Sequence, residues 1–278
     1  MTEKRVRYDG GSRDLTPPPH PEPLRVPVVD SHCHLDLMDV PVAESVAAAV
    51  SVGVTRMLTI GVDVATSQLS ADTAAAYDEV FAGVAIHPNE AFAATAEALS
   101  EIARLAALPQ VRAVGETGLD WYRDTATREQ QEASFRAHID IAKSVGKPVV
   151  IHDRDAHADI LRVLESQGAP ETVVFHCFSG DADFARECID RGYVLSFAGT
   201  VTFRNARQLR EALAITPLDQ VLVETDAPFL TPTPFRGRPN GPYMIPVTVR
   251  AMAEVKGIGE DEMAAAIAAT AERCFGPW

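Results

Sequence analysis

No apolar run in these 278 residues approaches the roughly 20 that cross a bilayer, and the polar N-terminus has no signal-peptide core. A membrane-bound or exported protein is therefore not expected. Cysteine is scarce: Cys33, Cys177, Cys188 and Cys274 form no CxxC pair and no disulfide-scaffold spacing. Reduced thiols in a cytoplasmic protein are the simplest expectation. Positive charge is also short, with 25 Lys and Arg against 39 Asp and Glu and a formal net charge of −14. That balance argues against a protein that coats nucleic acid through a broad basic face, but leaves room for an enzyme that touches a few nucleotides at a local site. Nor does a Gly-x-Gly-x-x-Gly turn follow the first β-rich run, so nothing supports a dinucleotide-binding open sheet.

What is present is a regular alternation. Residues 1–25 hold Pro17, Pro18, Pro19, Pro21 and Pro23 with almost nothing to bury, which predicts a flexible or polyproline-like arm. Residues 26–278 read as a single domain. Short β-rich runs fall at Val26–His32, Val54–Ile60, Val80–Ile86, Val111–Gly115, Pro148–Ile151, Thr172–Phe175, Tyr193–Phe197 and Val221–Val223. Segments of helical length separate them. The clearest is Thr125–Val145, where Phe135, His138, Ile139, Ala142 and Val145 recur at three- and four-residue steps. Eight strand–helix alternations predict an α/β protein with a parallel sheet, and eight is the count that closes a (β/α)8 TIM barrel. A doubly wound open sheet is the alternative. Two more helices are expected near Ile245–Val255 and Asp261–Cys274.

The first run continues into Asp30-Ser31-His32-Cys33-His34-Leu35-Asp36. Strand alternation would put Asp30, His32 and His34 on one face and Ser31 and Cys33 on the other. An imidazole pair at i and i+2 can chelate one metal ion, although an isolated HxH triplet is more often exposed or hydrogen-bonded. The other runs decide the matter, because they end in Glu116, His152, His176, and Glu224 with Asp226. The C-terminal strand ends of a barrel face one mouth, where active sites are built. Several His, Glu and Asp residues in that register are hard to explain as packing, since buried charge is costly unless paired or metal-bound. Four histidines and two carboxylates exceed the needs of one catalytic zinc and suit two divalent ions sharing a bridging carboxylate. Nitrogen and oxygen donors leave zinc, magnesium, manganese, iron and cobalt open. Cys33 and Cys177 each follow a histidine and are expected to point away.

These blocks resemble the TatD family of metal-dependent deoxyribonucleases, part of the amidohydrolase-like barrels. The resemblance rests on the first segment together with Gly115-Glu116-Thr117-Gly118-Leu119-Asp120-Trp121-Tyr122-Arg123, Ile151-His152-Asp153-Arg154-Asp155-Ala156-His157, His176-Cys177-Phe178-Ser179-Gly180, Glu224-Thr225-Asp226-Ala227-Pro228 and Arg236-Gly237-Arg238-Pro239-Asn240. It covers about residues 27–276. It implies that His32, His34 and Asp226 hold one metal, that His152 and His176 hold the other, and that Glu116 bridges them. The sequence departs from the family pattern at Thr270, where an asparagine is usual, which concerns helix packing rather than chemistry. The proline-rich arm is extra.

Two bridged cations suit phosphodiester hydrolysis, with Asp226 as both ligand and proton acceptor. Asp30 and Glu224 are expected to orient ligand histidines. Arg123, Arg154 and Arg204, on loops at the same rim, are candidates for substrate phosphates, and Trp121 or Tyr122 for stacking a terminal base. His87 and His157 could face the mouth, whereas His20 should be solvated and His138 packed on its helix. The expected substrate is a DNA end, a single-stranded 3′ end by the resemblance, and nothing calls for a partner subunit. The rivals are a two-metal barrel hydrolase acting on an amide, lactone, phosphotriester or aminoacyl-tRNA ester, and a non-enzymatic binding protein on a degenerate barrel.

Overall fold

The computed structural model describes residues 14–278. Its strands are β1 (Val28–Cys33), β2 (Val54–Ile60), β3 (Val80–Val84), β4 (Val111–Asp120), β5 (Val149–Arg154), β6 (Val173–Phe175), β7 (Val194–Phe197) and β8 (Val221–Val223). The helices are α1 (Val42–Ser51), α2 (Val64–Ala76), α3 (Ala96–Ala106), α4 (Arg128–Val145), α5 (His157–Gln167), α6 (Ala182–Asp190), α7 (Arg207–Ile215), α8 (Ile245–Lys256) and α9 (Glu260–Phe275). The strands pair in parallel and in chain order. The seam closes just beyond β8, where Cys33 bridges Ala227. There His34 N donates to Ala227 O at 2.8 Å and Asp226 N donates to His32 O at 2.9 Å. This is the (β/α)8 barrel that the alternation predicts.

Two apolar layers hold it. Val29, Leu58, Ile60, Ala113, Val150, Val174, Val194 and Leu222 fill the barrel interior, and Ala271, Cys274 and Phe275 of α9 close its floor. The opposite faces of the strands pack on the helices through residues such as Met57, Phe135, Ile139, Ile151, Phe175 and Phe197. Full burial of a side chain of this size contributes about 1.5–3 kcal/mol. Helix α4 starts later than the apolar pattern alone suggests, because Thr127 caps it. Gln130 N donates to Thr127 Oγ1 at 3.2 Å and Thr127 N donates to Gln130 Oε1 at 2.9 Å.

The largest departure in the sheet is β4, which runs five residues past the Gly115 that looked like its end. Both glycines in this stretch serve close approach to β5. A Cβ on Gly115 would lie 2.5 Å from Val150 O, and one on Gly118 (φ +141°) would strike His152 O. They continue the strand rather than ending it.

The N-terminal segment also differs from the free arm expected for residues 1–25. Residues 1–13 lie outside the described part. From Asp14 onward the chain is extended and laid on the barrel. Arg238 donates from Nε to Thr16 O (2.7 Å) and through its guanidinium to Pro17 O (2.9 Å). Tyr243 OH donates to Pro18 O (3.1 Å), and its ring stacks on His20. Arg250 donates to Glu22 O (2.8 Å), and Leu24, 6% exposed, enters the outer apolar layer. Prolines, which bring no N–H of their own, leave their carbonyls to be gathered by these side chains. Deleting residues 1–25 should therefore lower the denaturation midpoint, and Leu24→Ala alone should cost about 2 kcal/mol. Urea unfolding checks both. An unchanged midpoint on truncation would show that the docked segment contributes nothing.

Candidate metal centre

The carboxyl ends of five strands converge on Glu116. Its Oε2 lies 2.8 Å from His176 Nε2, 3.4 Å from His152 Nδ1 and 4.0 Å from His32 Nε2. Its Oε1 lies 3.8 Å from His34 Nε2 and 3.9 Å from His87 Nε2. Asp226 Oδ1 stands 3.5 Å from His34 Nε2 and 3.9 Å from His32 Nε2. The structure thus brings together His32, His34, Glu116, His152, His176 and Asp226, with Glu224 behind them. It also adds His87.

Local backbone aims these groups. The register of β1 shifts between Asp30 and Cys33, so simple alternation fails there. Ser31 crosses the barrel to Ser196 Oγ (2.9 Å), and Asp30 accepts from Thr225 N (2.9 Å). Only His32 and His34 of that segment turn to the cluster. Asp30 therefore holds the β8 end, and not a histidine ring as expected. Glu224 does hold a ring, accepting from His176 Nδ1 at 3.2 Å and from Cys177 N at 2.9 Å. Asp226 has φ +51°, a left-handed conformation that aspartate tolerates better than most residues.

The polarity of the rings fits a cation. A backbone carbonyl only accepts, so His34 Nδ1 donates to Ile60 O (3.1 Å) and leaves the Nε2 lone pair for the centre. Asp120 Oδ2 holds His152 at Nε2 (3.2 Å), leaving Nδ1 inward, and Glu224 does the same for His176. His32 is fully buried with no partner at either ring nitrogen. Two orphaned nitrogens in a dry site would be costly unless a metal takes one. The arrangement fits a divalent metal site.

Asp120 was not singled out from sequence. Its signal was parity, because Glu116, Gly118 and Asp120 alternate along β4 once the glycines are read as strand. Other expectations do not join the cluster. His157 is held by Asp153 Oδ2 (2.7 Å) and stacked on Phe184, and Arg154 lies 4.1 Å over the Tyr122 ring. Arg123 is half-buried and Arg204 exposed on their loops, and neither is ion-paired to the cluster. Trp121 Nε1 donates to Asp159 (3.0 Å), which turns it toward α5. Cys33 is buried and directed at Leu58 O (3.5 Å). Cys177 sits in a turn with φ +42° and is not on a strand, so the alternation argument for it does not apply.

Burial opposes charge on Glu116, yet the surrounding histidines hold its carboxyl well below the usual range. Burial likewise works against charge on His34, but Asp226 and then Glu116 lift it to about 9. Burial pushes His87 the other way, to about 3.

Fold and side chains together define a metal-dependent hydrolase built on a (β/α)8 barrel. Residues 29–276 match the family model described as TatD related DNase. An uncharacterized metal-dependent hydrolase TatD of Mycobacterium tuberculosis is 45% identical over 258 residues, covering 90% of this chain and 98% of its own. A 3′-5′ ssDNA/RNA exonuclease TatD of Citrobacter rodentium is 35% identical, with 84% and 91% covered. The crystal structure of the TatD homologue YjjV from Escherichia coli K12 superposes with a TM-score of 0.85 at 28% identity, covering 90% of this chain and 98% of that one. The chain belongs to the TatD-related DNase family. Among the described residues no helix is long and apolar enough to cross a membrane.

Two measurements test the centre. A cation arriving at His34 Nε2 must displace the proton that the carboxylates favour there, so metal affinity should tighten as pH rises from about 6 toward about 9. Chelator competition would report it, and a flat profile would mean that His34 yields no proton. Asp120→Asn removes the acceptor that fixes His152 and should weaken metal binding about 10- to 100-fold with the fold intact. Unchanged affinity would deny Asp120 that role.

Proposed function

We propose that this chain is a two-metal deoxyribonuclease that trims single-stranded DNA from the 3′ end. The observation that carries the reading is the disposition of Glu116, one oxygen toward His152 and His176 and the other toward His34. In this assignment His32, His34 and Asp226 would hold one ion and His152 and His176 the second, with Glu116 available to both. Donors without thiolate suit zinc, magnesium, manganese, iron or cobalt. When bound, such ions would supply Lewis acidity toward a phosphoryl oxygen and toward the attacking water. Asp226, at the edge of the cluster and 15% exposed, takes the proton from that water. Glu224 and Asp120 keep the rings of His176 and His152 oriented. Tyr122, 63% exposed beneath the Arg154 guanidinium, is the platform for a terminal base, worth about 1–3 kcal/mol. Arg123, Arg154 and Arg204 are the candidates to meet the flanking phosphates. The polarity and substrate class are supported by the relative named as an exonuclease on single-stranded DNA and RNA. Every group comes from one chain, so a monomer suffices. Four free cysteines accord with a cytoplasmic location.

The test uses oligonucleotides labelled at either end, circular single-stranded DNA, and matched small amides, lactones and aminoacyl-tRNA esters. Shortening from the 3′ end, abolished by a chelator and restored by a divalent ion, is expected. Glu116→Ala should lose activity and metal together, while Cys33→Ser should retain both. Efficient cutting of the circle would exclude obligate end-trimming. Rapid ester or amide hydrolysis with no cleavage of DNA would move the assignment to another barrel hydrolase. With a net charge of −14 and few phosphates engaged, DNA affinity should fall far less with salt than the about 10³–10⁵ lost between about 50 and 200 mM by proteins making many phosphate contacts.

A further inference from the structure

His87 stands in the cluster with the wrong polarity for a ligand. By distance alone it qualifies, since ligand atoms of His87, Glu116 and His152 all lie within 4.8 Å of one another. Its ring packs edge-on to His152 with centroids 4.4 Å apart. The hydrogen bond on its far side decides otherwise. Asn89 N donates to His87 Nδ1 at 3.0 Å. A backbone N–H can only donate, so Nδ1 must offer its lone pair and the ring proton must sit on Nε2. That is the reverse of His34, whose Nδ1 donates to a carbonyl, and of His152 and His176, whose far nitrogens donate to carboxylates. Nε2 of His87, the atom that faces Glu116, carries a hydrogen and has no lone pair to give a metal.

The ring is also firmly placed. Its Nδ1 caps the 3-10 turn Pro88–Ala93. His87 N donates to Val62 O (2.9 Å), and the preceding Ile86 N donates to Nε2 of the buried His138 (3.0 Å). His138 in turn donates from Nδ1 to Ser134 O (2.7 Å), which fixes its own tautomer. At 3.9 Å from Glu116 Oε1, the His87 Nε2–H is too far for a hydrogen bond and remains available.

We propose that His87 is a substrate-binding donor and not a metal ligand, its Nε2–H directed at a non-bridging oxygen of the phosphoryl group. This rests on the phosphodiester reading of the same site. The donor is neutral and immobile, so it adds directional recognition of an anionic oxygen without competing for the cations.

The experiment uses metal-reconstituted full-length protein and inorganic phosphate as the probe. Long-range proton–nitrogen NMR spectra of ¹⁵N-histidine-labelled protein should show His87 protonated at Nε2 with metal bound. His87→Ala should keep the wild-type metal content and bind phosphate about 10- to 100-fold more weakly, the loss typical of one hydrogen bond to a charged group. His87→Gln, which returns an N–H near the same place, should recover most of that affinity. Protonation at Nδ1, or loss of one metal equivalent in His87→Ala, would make His87 a ligand and overturn the proposal. So would phosphate affinity equal in wild type and His87→Ala, or wild type that binds no phosphate. DNA cleavage is scored separately, so a failed nuclease reading beside intact phosphate and NMR results is recognisable as such.

Discussion

A carboxylate buried among five imidazoles depends on which ring nitrogens have partners, and the rest of the mouth supplies one to each of four rings, leaving His32 without. Ile60 O on β2 serves His34, Asp120 on β4 serves His152, Glu224 beyond β8 serves His176, and Asn89 N beyond β3 serves His87. These partners have supports of their own. Asp120 N donates to Gln131 Oε1 on α4 at 2.8 Å, and Asp120 Oδ1 accepts from Tyr122 N and Arg123 N. Asn89 joins two rings, giving its backbone N–H to His87 and its side chain to Asp120 (3.3 Å). The polarity of the cluster is thus set by the groups behind its rings.

The seam between β8 and β1 is the second dependency. His32, His34 and Asp226 all lie along it, and the backbone bonds that close the barrel are the ones flanking these residues. Asp30 locks the seam by accepting from both N and Oγ1 of Thr225. Burial pushes its carboxyl up to about 8. Asn240 then ties the following loop to Thr225 O (3.0 Å) and Phe229 O (2.5 Å). On either side of Asn240, Arg238 and Tyr243 hold the N-terminal segment. The docked segment therefore braces the stretch of chain that carries Asp226.

Much of this was legible in the order of residues. Eight β-rich runs, most of them ending in polar groups, predicted the barrel and the residues at its mouth, because burial makes a strand apolar and catalysis needs polar groups at its end. The failures share a cause. The fourth strand was ended at Gly115 because glycine weakens strands on average, whereas here close packing on β5 demands it at both Gly115 and Gly118. The face of Asp30 was misjudged because one register shift in β1 cancels alternation, and nothing in the residue string marks the shift. The docking of residues 14–25 escaped notice because carbonyl acceptors held by distant arginines leave no periodic pattern. The orientation of His87 depends on a backbone N–H two residues on, which every non-proline residue possesses.

Charge gives the last constraint. The mouth holds Glu116 and Asp226, with Asp120 and Glu224 behind the histidine rings, in a chain of net charge −14, so these carboxylates oppose an anionic phosphate. Under the proposed function bound cations would reverse that sign locally, and the neutral N–H of His87 and the Arg154 guanidinium on Tyr122 would add attraction without bringing further negative charge. In this reading cation and phosphate each raise the affinity of the other, and linkage requires the two factors to be equal. Under that function such a site would discriminate between loaded and unloaded states through substrate affinity itself.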